Sequence, residues 1–347
     1  MKIAGRHIGP TTSPYIIAEM SGNHNHSLDR ALAIVDAAAA AGAHAIKLQT
    51  YTADTMTLDL AAGEFTIRDP KSLWVGRSLH DLYQEAHTPW DWHAPIMARA
   101  REQGLACFSS PFDESAVEFL ETLDVPAYKI ASFECIDLPL IRRAASTGKP
   151  LIISTGMATV SEVAEAVETA RTAGCRELIL LRCTSTYPAS PEHSHLRSIP
   201  HLRALFDCEV GLSDHTLGIG VAVASVACGA TVIEKHVTLA RADGGVDAVF
   251  SLEPSELQQL VEEAGRAWQA LGQVHYGPTP SEVGARMRRR SLYIAADLRA
   301  GSELTAANLR RVRPGLGLAP RHYEQVLGRR VNRDVAKGTP LQWDLLD

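Results

Sequence analysis

LIISTGMATVSEVAEAVETARTAGCRELILLRCTS (151–185) decides the fold. It opens on a short apolar run, LIISTG (151–156), that turns polar at its end. A helix-like stretch follows, SEVAEAVETARTAG (161–174), with Ser161 placed to open it and Gly174 to close it. The apolar run then returns as LILLRCTS (178–185). A second strand reached through a helix is parallel to the first, so this stretch is one β/α unit.

The unit recurs in both directions. Upstream lie YIIAEM (15–20), AIKLQT (45–50), LACFSSP (105–111) and AYKIAS (127–132); downstream lie EVGLSDH (209–215) and TVIEKHVT (231–238). Helical patterns fall between them at 27–42, 113–123, 138–148, 218–229 and 254–272. In the first, Ser27 is a plausible N-cap and Gly42 a stop. Residues 88–104 also read as helical, with Pro95 leaving the first turns open. Eight such units before Gly272 favour an α/β (β/α)8 TIM barrel over a doubly wound sheet, and no GxGxxG follows the first strand. The connection 51–87 is longer than a βα loop requires, which marks it as functional. The barrel is expected over 1–272 and a Gly/Pro/charge-rich linker over 273–288. A small strand-and-turn domain follows over 289–347, with few residues for a core of its own.

Composition narrows the class. Of 347 residues, 46% are hydrophobic and 21% charged, enough for a large core. A formal charge of −6 argues against nucleic acid or an anionic membrane as partner. No apolar run reaches the roughly 20 residues of a membrane span, and no signal-peptide pattern opens the chain. The six cysteines are scattered without a CxxC pair, so a reduced, cytoplasmic enzyme is expected.

In a barrel of this kind the strand ends carry the chemistry. Here they read Glu19; Lys47 and Gln49; Ser110; Lys129 and Ser132, with Glu134 just beyond; Ser154; Ser213 and His215; Glu234 and His236. Two lysines among hydroxyls suit a phosphate or carboxylate. The plainer alternative pairs Lys129 with a carboxylate such as Glu134 and leaves the serines as strand ends. His215 and His236 end neighbouring strands and could share a divalent metal, with Glu234 on the same face. Asp243 and Asp247, in RADGGVDAVFS (241–251), lie on the loop after the last strand and could serve sugar hydroxyls or a metal. The residues alone point to a barrel enzyme for an anionic small molecule; the two histidines either hold a divalent metal or are simply hydrogen-bonded polar residues, and the loop aspartates have the same plain alternative of a solvated loop.

IAEMSGNHN (17–25), KLQTY (47–51), CFSSPFD (107–113), YKIASFE (128–134), ISTGMA (153–158), CTSTYP (183–188), GLSDHT (211–216) and IEKHVT (233–238) together resemble the sialic acid synthase family. The tail, with RPGLGL (313–318), resembles that family's antifreeze-like (SAF) domain. DPKSLWVGRSLHDLYQEAHTPWDWH (69–93), SGNHN and ARADGGVD (240–247) are most similar to its pseudaminic acid branch. The resemblance implies condensation of phosphoenolpyruvate with a 2-acetamido sugar aldehyde, with C–O cleavage and release of phosphate. For that branch the sugar is 2,4-diacetamido-2,4,6-trideoxy-L-altrose; N-acetylneuraminate and legionaminic acid synthases run the same chemistry on other sugars.

By the same resemblance, Mn2+, Mg2+ or Co2+ sits on His215 and His236, and Glu19 assists at C2 of phosphoenolpyruvate. Lys47, Ser110, Lys129, Ser132, Ser154 and Ser213 match phosphoenolpyruvate contacts. Gln49, Tyr187 and Asp247 match sugar contacts. Glu134 and Glu234 match acidic residues near the metal and reacting carbons. Arg313 matches an arginine that reaches an N-acetyl group across a domain-swapped homodimer. Two positions depart from the pattern: Ser185, where neuraminate synthases tend to carry Asn, and His26, where many members have Gly or Gln.

Overall fold

All eight apolar runs form strands, and these close into a parallel barrel in chain order. The computed structural model describes residues 1–70 and 72–347; Lys71, within the 69–93 motif, lies outside the described residues. The strands are β1 (Tyr15–Glu19), β2 (Ala45–Thr50), β3 (Ala106–Pro111), β4 (Tyr128–Ile130), β5 (Leu151–Ser154), β6 (Leu178–Cys183), β7 (Glu209–Asp214) and β8 (Val232–His236). β8 pairs with β1, Val232 opposite Tyr15 through His236 opposite Glu19, and this closes the ring. The strands are almost wholly buried because helices cover the sheet outside and side chains fill it inside. Gly211 permits the close approach of β7 to its neighbours: a Cβ there would stand 2.2 Å from Val232 O and 2.7 Å from Leu181 Cδ2.

The covering helices are α1 (Leu28–Ala40), α2 (Trp90–Glu102), α3 (Glu114–Thr122), α4 (Leu138–Ala145), α5 (Val160–Thr172), α6 (Ser198–Phe206), α7 (Gly220–Ala227) and α8 (Pro254–Leu271). Ser27 caps α1 as expected, its Oγ accepting from Arg30 N at 3.2 Å. Helix α5 corrects the reading of its start. Thr159, not Ser161, is the N-cap, because Thr159 and Glu162 form a reciprocal capping box that places Ser161 inside the first turn. Helix α2 runs through Pro95. Helix α6 was not anticipated: it has nine residues, no side-chain cap and Pro200 within its first turn. The long β2–α2 connection holds two short helices, Ala53–Met56 and Leu79–Ala86, joined by a turn that doubles back at the Thr66–Ser78 bridge. Among the described residues no helix is long and apolar enough to cross a membrane.

The chain divides into two units, Met1–Gly272 and Gln273–Asp347. The smaller pairs β9 (Ser291–Ile294) with β10 (Leu309–Val312), antiparallel. It does have an apolar cluster of its own, built from residues such as Leu292, Leu309, Val326, Val331 and Leu341. The expectation of too little core fails because short segments from along the tail each contribute one or two side chains.

Candidate active site

Side chains alternate across a strand, so Glu234 and His236 of β8 share one face and Lys235 takes the other. The inward face forms a closed well of charge. Lys47 Nζ is paired with Glu19 Oε2, donates to Ser110 Oγ at 3.2 Å and lies 3.8 Å from Glu234 Oε2. Lys129 Nζ lies 3.6 Å from Glu234 Oε1, which also accepts from Ser213 Oγ at 3.0 Å. Gln49 Nε2 donates to Glu19 Oε1 at 3.1 Å. The partner of Lys129 is therefore Glu234, not Glu134. Glu19, Lys47, Lys129 and Glu234 are each less than 5% exposed. Ser154 Oγ is buried with no hydrogen-bond partner among the described residues.

Burial and pairing pull these groups apart. Burial raises Glu19 to about 7 against the opposing pull of Lys47. Burial also opposes ionisation of Glu234, but Lys129 and Lys47 outweigh it and hold that carboxyl below its ordinary range. Lys47 resists burial because Glu19 and Glu234 carry it upward, whereas burial draws Lys129 down. Two lysines and two carboxylates thus share one buried cluster, in which burial opposes the charge on Glu19 and on Lys129.

The two histidines come together at the mouth. Their ring centroids are 5.2 Å apart, with Tyr187 4.6 Å from His215 and Phe250 5.0 Å from His236. His215 Nδ1 donates to Thr184 O at 2.9 Å, which leaves Nε2 as a lone-pair donor. Burial disfavours the charge on His215, but Cys183, with Sγ 3.8 Å from Nδ1, favours it. His236 is held well below its ordinary range by burial and by His215, so it is neutral, and its buried Nδ1 has no hydrogen-bond partner among the described residues. An orphaned, neutral imidazole beside a second with a free Nε2 fits a divalent metal whose remaining positions go to water or substrate. Among the described residues no group of three or more His, Cys, Asp and Glu is arranged to hold one. Asp247 Oδ2 lies 3.7 Å from His236 Nδ1 and accepts from Ser21 Oγ; burial raises its carboxyl.

Other expected residues sit further out. Ser132 Oγ bonds Ser185 Oγ at 2.7 Å, beneath Gly156, where φ is +47° and a Cβ would stand 2.6 Å from Ser132 Cβ. Glu134 has a buried Oε2 without a hydrogen-bond partner, and burial lifts its carboxyl to about 7. His26 has a left-handed backbone, φ +52°, a conformation that residues with a Cβ rarely adopt. Arg313 lies just after β10 in the small unit, exposed. Asp243 pairs with Arg30 at 2.6 Å and is thus a structural carboxylate.

Several contributors were not legible in sequence. Asn23 Nδ2 donates to Val237 O and Ser251 Oγ, both at 2.8 Å, and ties the turn after β1 to that after β8. Lys235 Nζ donates to Asp214 Oδ2 at 3.0 Å and Gly218 O at 2.9 Å, behind the turn that carries His215. Trp74 donates from Nε1 to Val246 O at 3.0 Å and lies 6.1 Å from the Tyr187 ring.

The NeuB family profile matches residues 34–276 and the SAF domain profile residues 289–347. A pseudaminic acid synthase of Campylobacter jejuni is 42% identical over 328 residues, 94% of this chain and 95% of that protein. A pseudaminic acid synthase of Helicobacter pylori is 39% identical over 332 residues, 95% of this chain and 97% of that protein. The crystal structure of N-acetylneuraminic acid synthetase from Leptospira borgpetersenii, in complex with citrate, superposes with a TM-score of 0.72 at 31% identity. It covers 82% of this chain and 94% of that one. A closed barrel ending in a SAF domain, with these motifs in order along it, belongs to the NeuB family.

Proposed function

We propose that this chain is a pseudaminic acid synthase, a transferase that condenses phosphoenolpyruvate with 2,4-diacetamido-2,4,6-trideoxy-L-altrose to give pseudaminic acid and phosphate. The carrying observation is the buried cluster of Lys47, Lys129, Glu19 and Glu234 on the inner face of the barrel, together with the His215–His236 pair. The choice of sugar rests on likeness to the two pseudaminic acid synthases.

Lys47 and Lys129, with Ser110, Ser132, Ser154 and Ser213, hold the phosphate and carboxylate of phosphoenolpyruvate. A divalent metal on His215 and His236 (Mn2+, Mg2+ or Co2+) supplies Lewis-acid polarisation of the aldehyde. Gln49, Tyr187 and Asp247 orient the sugar. C3 of phosphoenolpyruvate forms the new bond to the aldehyde carbon, whose oxygen takes up a proton. Positive charge develops at C2, where the Glu19 carboxylate stabilises it. Water adds at C2, and the proton it loses is the one the new alkoxide takes up. The C2–O bond to phosphate then breaks as the C2 hydroxyl gives its proton to the departing phosphate, which leaves with the bridging oxygen, and the 2-keto acid remains. Glu134 and Glu234 shape the field around these atoms; Glu234 does so by holding Lys129 and Ser213 in place.

Arg313 serves the N-acetyl group of the partner subunit's sugar in a domain-swapped homodimer. A cytoplasmic location goes with this reading, in keeping with described residues that include no helix long and apolar enough to cross a membrane.

The test is phosphate release from phosphoenolpyruvate with Mn2+, with product mass read in parallel. Turnover with the L-altrose sugar and not with N-acetylmannosamine is expected. Turnover with N-acetylmannosamine alone would assign the same chemistry to N-acetylneuraminate; no phosphate from any acetamido sugar would overturn the condensation.

A further inference from the structure

The β2–α2 connection folds back on itself: Ile67 N donates to Arg77 O at 2.9 Å and Gly76 N to Ile67 O at 2.8 Å. Trp74 sits in the turn so formed. Its one polar atom, Nε1, is spent on Val246 O at 3.0 Å, next to Asp247. The rest of the indole is apolar surface, and the side chain is only half-buried. Aromatic rings step outward from the histidines toward it. Tyr187 is 4.6 Å from His215 and 5.3 Å from Phe250, and Trp74 follows at 6.1 Å from Tyr187, tilted by 52°.

An open-chain sugar with its aldehyde carbon at the histidines extends away from them, and this series of rings is an apolar path leading outward from the same two residues. In a 6-deoxy sugar that end is a methyl group. We infer that Trp74 is the apolar wall that receives C6 and makes the site select a methyl over a hydroxymethyl group. The inference rests on the sugar chemistry proposed above. The indole offers a 6-hydroxyl no hydrogen-bond partner, because Nε1 is already engaged, so the face it presents favours a methyl group. Discrimination of roughly 10- to 100-fold is the range such a contact supplies.

The experiment compares kcat/KM for 2,4-diacetamido-2,4,6-trideoxy-L-altrose and for the same sugar bearing a 6-hydroxyl, in the wild type, Trp74→Ala and Trp74→Phe. Trp74→Ala is expected to lower the ratio of the two about 10-fold, through KM for the trideoxy sugar, with KM for phosphoenolpyruvate unchanged. Trp74→Phe keeps an apolar face without the bond to Val246 and should restore most of the ratio. An unchanged ratio in Trp74→Ala would overturn the inference and leave the synthase reading standing. So would a Trp74→Phe enzyme as impaired as Trp74→Ala, since the indole would then matter only as a tether to Val246. A wild type that uses neither L-altrose sugar but accepts N-acetylmannosamine would remove both.

Discussion

Glu234, Lys235 and His236 are consecutive on β8, and the two faces of that strand treat buried polar atoms in opposite ways. Outward, Lys235 Nζ meets Asp214 Oδ2, Thr216 O and Gly218 O, while Asp214 accepts from Thr216 N at 3.0 Å and Thr216 Oγ1 at 3.1 Å. That cluster is closed. Inward, Glu234 Oε2, His236 Nδ1 and Ser154 Oγ are buried without hydrogen-bond partners among the described residues. A buried charge with its partners in place belongs to the fold; buried polar atoms short of partners mark where a ligand completes the structure. The outward pair also serves the inward face, since Asp214 precedes His215 and Lys235 precedes His236.

Substitutions on the two faces should therefore fail differently. Glu19→Gln, on the inner face, should lower kcat roughly 10²–10³-fold with little change in KM for phosphoenolpyruvate. Denaturant unfolding near neutral pH should show no loss of stability but a gain, because the neutral amide removes the cost of ionising a carboxyl that the fold raises to about 7. An active Glu19→Gln enzyme would remove that carboxylate from the chemistry. Lys235→Met should do the reverse, destabilising the protein by ~3–5 kcal/mol because Asp214 is left buried and unpaired. It should also raise the Mn2+ concentration needed by the surviving folded enzyme. Adding Asp214→Leu should recover part of that stability; a full loss in the double variant would deny the pairing.

A third contrast uses pH. Burial raises Glu134 from 4.5 to about 7. The native state then holds this proton more tightly than the unfolded chain does. Its stabilising contribution is full below pH 4.5 and is lost as pH rises through about 7. Glu134→Gln should accordingly gain stability relative to the wild type across that window, read by denaturant titration at several pH values; a flat difference would mean the carboxyl is not desolvated. The smallest effect lies far from both faces. Ser27→Ala should cost about 1 kcal/mol through loss of the α1 cap and leave turnover unchanged.

The two faces also differ in how far sequence alone exposes them. Every barrel strand was legible because each is a short apolar run bounded by polar residues. Helix α6 was not, since Pro200 and the absence of a capping side chain mask its start. The inner residues stood out as polar groups ending apolar strands. Lys235 carried the same signal unnoticed: it lies 21 residues from Asp214, the spacing of Ser213 from Glu234 and of His215 from His236. A strand register that pairs one of these couples pairs the others. Trp74 and Val246 offered no such clue. They are 172 residues apart on two loops, where no periodicity links position to contact.

The most direct test of the synthase assignment follows the bridging oxygen. Phosphoenolpyruvate labelled with 18O between C2 and phosphorus is turned over with Mn2+ and the L-altrose sugar in unlabelled water. Attack of water at C2, with the phosphate leaving whole from Lys47 and Lys129, predicts that the label departs in inorganic phosphate and that the new keto group is unlabelled. Label retained in the nine-carbon acid would mean P–O cleavage and would contradict the chemistry assigned to this well.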